Sequence, residues 1–449
     1  MHRLLGVLWA GVVSAAICYA EYLGLGAMLG TALLGYGDQS QAMGTLLVVL
    51  AACISCLVLC ARRFPVIAGP RGASLSILVL GLLSIQALYP VSGSGQLLVL
   101  VAMMLGCTAT LCMGTMRWVQ WAFAHLPAWL IPAFVYASAL SIVASASHKY
   151  LYNCLMVSEW QTWGIFLSGV LAGLAWQTLC QSVARLKQLP PQATALARSL
   201  SGTSLVVGAG TAWLLYEYSS LRYASAGMCS RLGVLDLNLQ SFFQRMGLLL
   251  EQDLHFIPLP ALLAAAVWGL FVGLIVLIES RTAVTTLADL LRQAQRHAQA
   301  EALHTPLMRW NAGCQALLTP ATTIASSVSQ SRSQVIWSLY QPSAMAVLLH
   351  ALALLAIALF AGHWLARLPQ IALVVLMTLV ACSMLIQSTT QVWQQAYSIK
   401  HRGIAGGLGL WAVLLISVVT GQTLLGFVLP AVWAIGLHWW RQRHAQSSP

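Results

Sequence analysis

One short stretch of the sequence, AGPRGAS at residues 68–74, places a charged side chain beside a backbone break in an apolar region. A Gly-Pro pair precedes Arg71, and a long apolar run begins at Leu75. An arginine beside a helix N-terminus in such a place is costly, because it is desolvated and lies near the positive end of the helix dipole. Arg71 therefore either contacts a bound anion or carboxylate, or extends to the lipid headgroups near the membrane interface.

A second interrupted stretch, Thr319-Pro320 followed by ATTIASSVSQS, lies near the matching place in the other half of the chain. Its hydroxyl groups at Thr322, Ser326 and Ser327 can donate to an oxyanion, or can satisfy backbone groups freed by the proline. Broken helices in corresponding halves point to the midplane site of a transporter, and the N-termini of half-helices favour an anion there. The two breaks together predict a two-sided anion site.

Two carboxylates, Glu21 and Glu279, lie within or at the end of apolar runs. An ionisable side chain in a membrane span is a functional candidate by default. Both carboxylates are predicted to bind a coupling Na⁺ or a proton near the anion. The alternatives are structural: an ion pair that fixes the first span for Glu21, and a pair with Arg281 or Arg71 for Glu279.

The elements that position these groups follow from composition. The 449 residues are 59% apolar and 7% charged, whereas soluble domains carry about 25% charged residues. The net charge of +12 comes mainly from basic residues between apolar runs, which is the pattern of cytoplasmic loops. We therefore predict an all-α polytopic membrane protein that contacts lipid and does not bind nucleic acid. No metal-ligand spacing, nucleophile–base arrangement or phosphate loop indicates an enzyme or a resident cofactor.

Apolar runs of span length predict about fourteen membrane segments, with both termini in the cytoplasm. Twelve are clear, and the less apolar region 306–338 has room for two short or half-buried ones. The predicted organisation is a first repeat at 1–220, an external connection at 221–258 and a second repeat at 259–449. The twelve runs cover 5–30, 42–60, 70–88, 97–116, 128–147, 162–183, 203–220, 259–279, 343–364, 369–387, 403–421 and 423–440.

Several motifs, in order along the chain, resemble those of the SulP family of anion transporters. They are RFPVIAGPRGA at 63–73, FAHLP at 123–127, IES at 278–280, PAT at 320–322 and LPQIAL at 368–373. The resemblance implies a seven-plus-seven inverted repeat, in which a core domain (spans 1–4 and 8–11) moves against a gate domain (spans 5–7 and 12–14). The cytoplasmic STAS domain that usually follows in this family is expected to be absent.

The resemblance also implies that substrate lies between half-helices of the third and tenth spans. The substrate-binding residues it implies are Gly69, Arg71, Gly72, Ala73, Thr322, Thr323, Ser326 and Ser327. Compared with the family pattern, Arg71 replaces a threonine of the third span, while Ser327 replaces an arginine of the tenth. These two departures predict that the positive charge has moved from one half-helix to the other.

The function predicted from these features is secondary transport of a small anion, namely sulfate, bicarbonate or a small carboxylate. Coupling to H⁺ or Na⁺ and elevator-type alternating access are expected, in a bacterial inner membrane, and the resemblance is compatible with a homodimer. A nucleobase-type permease of the same fold is the first alternative. The second is an anion sensor or scaffold that binds at the same cavity without transport.

Overall fold

The structure is a computed structural model. It describes residues 2–34, 38–89, 94–116, 160–186, 203–219, 257–293 and 324–360, with isolated positions between and after these ranges. Five of the helices in these ranges are long and apolar enough to cross a membrane. The predicted all-α polytopic membrane fold is confirmed. The predicted spans at 128–147 and 403–421, and all of 423–440 except Gly436, lie outside the described residues.

The described elements are nine helices and two very short strands. In chain order they are α1 (His2–Leu34), α2 (Asp38–Ala61), β1 (Ala68–Gly69), α3 (Gly72–Leu88), α4 (Ser94–Met113), α5 (Trp160–Ala184), α6 (Ser204–Tyr218), α7 (Leu259–Gln293), β2 (Ser327–Val328), α8 (Gln330–Leu339) and α9 (Ala344–Phe360).

Helices α1, α2 and α9 pack together, and α4 packs along α7. Together with α3, their facing sides form one large apolar core that includes Tyr22, Leu29, Leu78 and Met103. Leucines on the opposite sides of α1, α5 and α7 remain exposed, as expected for helices that face lipid. The two short strands are buried and, with α8, contact α1, α2 and α7.

The crossing of α4 and α7 depends on glycines that let two backbones approach closely. A methyl group added at Gly269 would collide with the carbonyl group of Met103. One added at Gly106 would collide with the carbonyl of Ala266. Next to this contact, the Thr110 hydroxyl donates to the Leu270 carbonyl at 3.0 Å. Small residues allow such close packing between membrane helices, where dispersion contacts replace the hydrophobic effect.

Replacing Gly269 by alanine is expected to separate α4 from α7 and to lower the free energy of unfolding by about 2 kcal/mol. Gly164→Ala is the matched control, because nothing lies within 4 Å of the methyl group it adds. Thermal unfolding of the purified protein in detergent measures both variants. Equal melting temperatures for the two would contradict the close crossing.

Helix α2 ends in a turn that directs the chain toward β1. The N–H of Phe64 donates to the Leu59 carbonyl at 3.1 Å, and the N–H of Arg63 donates to the Cys60 carbonyl at 2.8 Å. These two bonds form a Schellman motif, in which Arg63 has a φ of 60°. Glycine is usual at this position, because the left-handed conformation is unfavourable for a residue with a side chain. Phe64 packs against a buried apolar cluster that includes Leu59, which supports the turn.

Helix α7 differs in extent from the sequence-based prediction, whereas α8 is short, as predicted for this region. Helix α7 is 35 residues long, so it continues well past the apolar run predicted at 259–279, and Glu279 lies inside it rather than at its end. Helix α8 has only 10 residues, which is about 15 Å, roughly half the hydrocarbon thickness of a bilayer. Helix α8 therefore cannot cross a membrane alone.

Candidate functional site

The two interrupted segments meet in a short antiparallel ribbon. Ala68 of β1 pairs with Val328 of β2, and Gly69 pairs with Ser327. The ribbon is extended by the N–H of Ser329, which donates to the Ile67 carbonyl at 2.8 Å. Each strand is followed closely by a helix, α3 after β1 and α8 after β2. The ribbon thus fixes the N-terminal ends of α3 and α8 relative to each other.

The N-terminus of α3 has no side-chain cap. Its N-cap residue is Arg71, in an extended conformation, and no side-chain hydrogen bond caps the helix. Arginine has only donor groups, so it cannot accept from the first N–H groups as serine or threonine would. The Arg71 side chain is half-buried and has no hydrogen bond or ion pair with any residue that the structure describes. Among the described residues, neither the helix end nor the guanidinium has a side-chain acceptor for its N–H groups.

The N-terminus of α8 comes shortly after β2. The helix begins at Gln330, ten residues after Pro320. The intervening Ser/Thr-rich stretch supplies β2 and then Ser329, whose hydroxyl accepts from the N–H of Arg332 at 3.5 Å. Ser329 is thus the N-cap of α8. Serine and threonine hydroxyls disfavour a helix because they form hydrogen bonds with the nearby backbone. Here residues 327 and 328 instead form a strand paired with β1.

Glu279 and the neighbouring Ser280 hold β2 from the side of α7. The Ser327 hydroxyl donates to Oε2 of Glu279 at 3.0 Å, and the N–H of Val328 donates to the Ser280 hydroxyl at 3.3 Å. Glu279 is buried, with 7% of its surface exposed. Ser327 is therefore already engaged with a carboxylate. Only one oxygen of Glu279 has a hydrogen bond within the described residues.

Arg332, in the first turn of α8, connects three elements. Its Nε and Nη2 donate to the two carboxylate oxygens of Glu21 at 3.1 and 2.7 Å, which is a bidentate pair. Nη2 also donates to the Pro70 carbonyl at 2.9 Å, and Nη1 donates to the Tyr22 hydroxyl at 2.7 Å. The guanidinium lies 4.3 Å from the centre of the Tyr22 ring. Helix α1, the backbone before α3 and helix α8 are thereby joined by one side chain, which we call the Arg332 tie.

Gly69 has a place in this arrangement for a steric reason. A methyl group added there would lie 2.6 Å from the Tyr22 hydroxyl oxygen and 3.1 Å from Nη1 of Arg332. The absence of a side chain at Gly69 therefore leaves space for the Arg332 tie to pass across β1. A role for Gly69 in direct contact with substrate stays a prediction.

The other predicted site residues are placed as follows. Gly72 is buried and is the first residue of α3. Ala73 belongs to the same helix. Ser326 precedes β2, and its buried hydroxyl has no hydrogen-bond partner in the described residues. Thr322 and Thr323 lie outside the described residues. The structure thus brings Glu21, Gly69, Glu279 and Ser327 together with the two helix N-termini.

Arg332 is the residue that the sequence analysis missed. The expected loss of positive charge from the second half-helix, with Ser327 in place of an arginine, is wrong because α8 itself carries Arg332. The sequence contained a signal for it. Ser329-Gln330-Ser331-Arg332 combines a preferred N-cap residue with a charged side chain in a weakly polar region flanked by apolar runs.

No family model matches the chain, and no curated protein matches its sequence significantly. Solved structures do match its fold. The transmembrane domain of the cyanobacterial bicarbonate transporter BicA is 16% identical over 95% of this chain and 98% of its own, with a TM-score of 0.55. SLC26A9 is 12% identical over 98% of this chain and 66% of its own, with a TM-score of 0.58.

Murine Solute Carrier 26 family member A9, an anion transporter in the inward-facing state, is 14% identical over 97% of this chain and 68% of its own, with a TM-score of 0.59. At these identities the likeness establishes the fold. The resemblance to SulP transport domains is thereby confirmed at the level of the fold. Two of these matched structures are named as transporters.

Proposed function

We propose, from a fold shared with bicarbonate and anion transporters, that this chain is a secondary transporter of a small anion. Sulfate, bicarbonate and small carboxylates are the candidate substrates. The substrate is bound between the N-termini of α3 and α8, in contact with Gly69, Arg71, Gly72, Ala73, Ser326 and Ser327. Thr322 and Thr323 contribute from the segment before β2.

One observation carries the proposal. The ribbon of β1 and β2 holds two helix N-termini together. The α3 end lacks a side-chain cap and carries the guanidinium of Arg71, which pairs with none of the residues that the structure describes. Helix N-termini attract anions, because the unpaired N–H groups and the helix dipole act in the same direction. A guanidinium adds a planar, bidentate donor pair that suits oxyanions and carboxylates better than halides.

Glu279 is proposed to bind the coupling ion. Its carboxylate is buried at the ribbon, with Ser327 on one oxygen, so its charge is compensated when a Na⁺ or a proton binds there. Because Ser327 also belongs to β2, binding at Glu279 affects the strand that positions α8. Glu21, the other predicted coupling residue, is engaged by Arg332.

Transport is proposed to follow an elevator mechanism. The Arg332 tie and the ribbon join α1, α3, α7 and α8, so these elements are suited to move together as a core domain that carries the site. The gate domain would comprise spans 5–7 and 12–14. A homodimer in a bacterial inner membrane, with both termini in the cytoplasm, completes the proposal.

Counterflow in proteoliposomes tests the function. Vesicles are loaded with unlabelled bicarbonate, formate, sulfate or uracil, and uptake of the matching labelled compound is followed with and without gradients of Na⁺ or pH. Anion uptake that depends on the internal anion supports the proposal. Uptake of uracil alone would indicate a nucleobase permease, and anion binding without flux would indicate a sensor; either result overturns it.

Replacing Arg71 by alanine is expected to raise the KM for the transported anion by about tenfold or more, because a charge-assisted hydrogen bond is lost. Stability should not change, since no described residue pairs with this side chain. Arg71→Lys is expected to be intermediate, because it keeps the charge but loses the bidentate geometry.

The matched control is Arg62→Ala, which removes an exposed arginine nine positions upstream. Its KM is expected to equal that of the wild type. An Arg71→Ala variant with unchanged anion affinity would remove Arg71 from the site and would favour the alternative that its side chain extends to lipid headgroups.

A further inference from the structure

The Arg332 tie leaves little of this arginine for a substrate. Four of the five guanidinium N–H groups are used, two of them on Glu21 and one each on the Tyr22 hydroxyl and the Pro70 carbonyl. Only 3% of the Arg332 side chain is exposed. The face of the guanidinium is covered on one side by the Tyr22 ring. An anion between α3 and α8 therefore meets a cation that is already compensated.

The charges around the two helix ends can be added up. Arg332 and Glu21 form a bidentate pair and cancel. Glu279 adds a carboxylate on the α7 side of the ribbon. Within the described residues, Arg71 is the cation at the α3 end that lacks a carboxylate partner. The site thus offers one uncompensated guanidinium and two partial positive charges from the helix dipoles, in the presence of a nearby carboxylate.

We infer that Glu21 determines the charge of the anion that the site accepts, by neutralising Arg332, and that the substrate is a singly charged anion such as bicarbonate or a monocarboxylate. Sulfate is excluded by the same pair. The inference rests on the proposed transport function and narrows its substrate class.

The physical reason is that the desolvation cost of an anion and its attraction to the site depend differently on the charge of the anion. The cost of removing an ion from water rises with the square of its charge, and it is already large for a single charge. The attraction to a fixed set of cations and dipoles rises only in proportion to the charge. A doubly charged anion therefore needs a second uncompensated cation, which Arg332 would supply if Glu21 did not engage it.

Two variants distinguish the effect of the charge of the Glu21–Arg332 pair from the effect of its shape. Glu21→Gln keeps the size of the side chain and one acceptor for Arg332, but it frees one positive charge. The double variant Glu21→Gln with Arg332→Gln has two neutral partners that can still hydrogen-bond, and it restores the net charge of the wild-type pair. Both are measured as full-length protein in proteoliposomes, by the inhibition of labelled formate uptake with unlabelled nitrate or sulfate at neutral pH.

The readout is the ratio of the half-inhibitory concentrations of sulfate and nitrate. We expect this ratio to be high in the wild type, to fall by about tenfold in Glu21→Gln, and to return toward the wild-type value in the double variant. An unchanged ratio in Glu21→Gln overturns the inference. An equal gain in affinity for both anions also overturns it, since this would mean that Glu21 merely competes with the substrate.

Failure of the proposed function gives a different result. If the wild type shows no anion-dependent formate uptake and no anion binding, transport itself is refuted. If the wild type transports anions but prefers sulfate to nitrate, the function stands and the role of Glu21 is refuted. Size-exclusion profiles of the variants confirm that each remains folded before its ratio is compared.

Discussion

Replacing Arg332 by glutamine is expected to lower the free energy of unfolding by about 3 kcal/mol, because it leaves Glu21 as a largely buried carboxylate without its cation. The Glu21 side chain is 24% exposed, so the destabilisation should lie at the lower end of the roughly 3–5 kcal/mol that breaking a buried ion pair costs. The Pro70 carbonyl loses its donor as well. Anion uptake is expected to fall to background, since the site then carries one additional negative charge.

The measurement is thermal unfolding in detergent together with counterflow in proteoliposomes. Adding Glu21→Gln to the same chain should recover most of the lost stability, because it removes the unpaired charge. Arg292→Gln is the matched control. Arg292 pairs with Asp289 and Glu301 at 3.0 and 3.1 Å, but these side chains are exposed, and exposed pairs contribute little. A melting temperature of Arg332→Gln equal to that of Arg292→Gln would contradict the Arg332 tie.

The replacement Glu279→Gln is expected to abolish accumulation of the anion against its gradient, while exchange of internal for external anion continues. Glutamine has nearly the same shape and can still accept from the Ser327 hydroxyl, so β2 should stay in place. It carries no charge and therefore cannot bind a Na⁺ or a proton as a carboxylate does. Gradient-driven uptake of labelled anion should fall at least about tenfold, which corresponds to a free-energy difference of roughly 1.4 kcal/mol or more.

Ser327→Ala provides the comparison for this variant. It removes the hydroxyl but leaves the carboxylate, so gradient-driven uptake should weaken without being lost. Counterflow measured on the same vesicles separates the two steps. Accumulation at the wild-type level in Glu279→Gln would exclude Glu279 as the coupling residue, and loss of counterflow as well would show that the carboxylate is needed for the fold of the ribbon.

The position of the first half-helix could be predicted from local sequence. The extended segment ends at Gly69, because Pro70 has no N–H and cannot continue the hydrogen bonds of a strand. The predicted span at 70–88 agrees with α3 at Gly72–Leu88. The second half-helix could not be placed in this way. A stretch rich in serine and threonine is compatible with a strand, a cap or a helix, and pairing with β1 decides among them.

The sequence by itself determined that this chain lies in a membrane, because nearly every segment lacks the charge that a water-exposed surface needs. It also indicated that placing the charged side chains of Arg71, Glu21 and Glu279 in a membrane costs desolvation free energy, which charged or hydrogen-bonding partners must offset. Which partners they have was decided by tertiary structure alone. Glu21 meets Arg332 across 311 positions, and Glu279 meets Ser327 across 48. The desolvation of a charged residue can be predicted from the apolar residues beside it in the sequence. The partner that compensates its charge cannot, because the fold can bring that partner from any part of the chain.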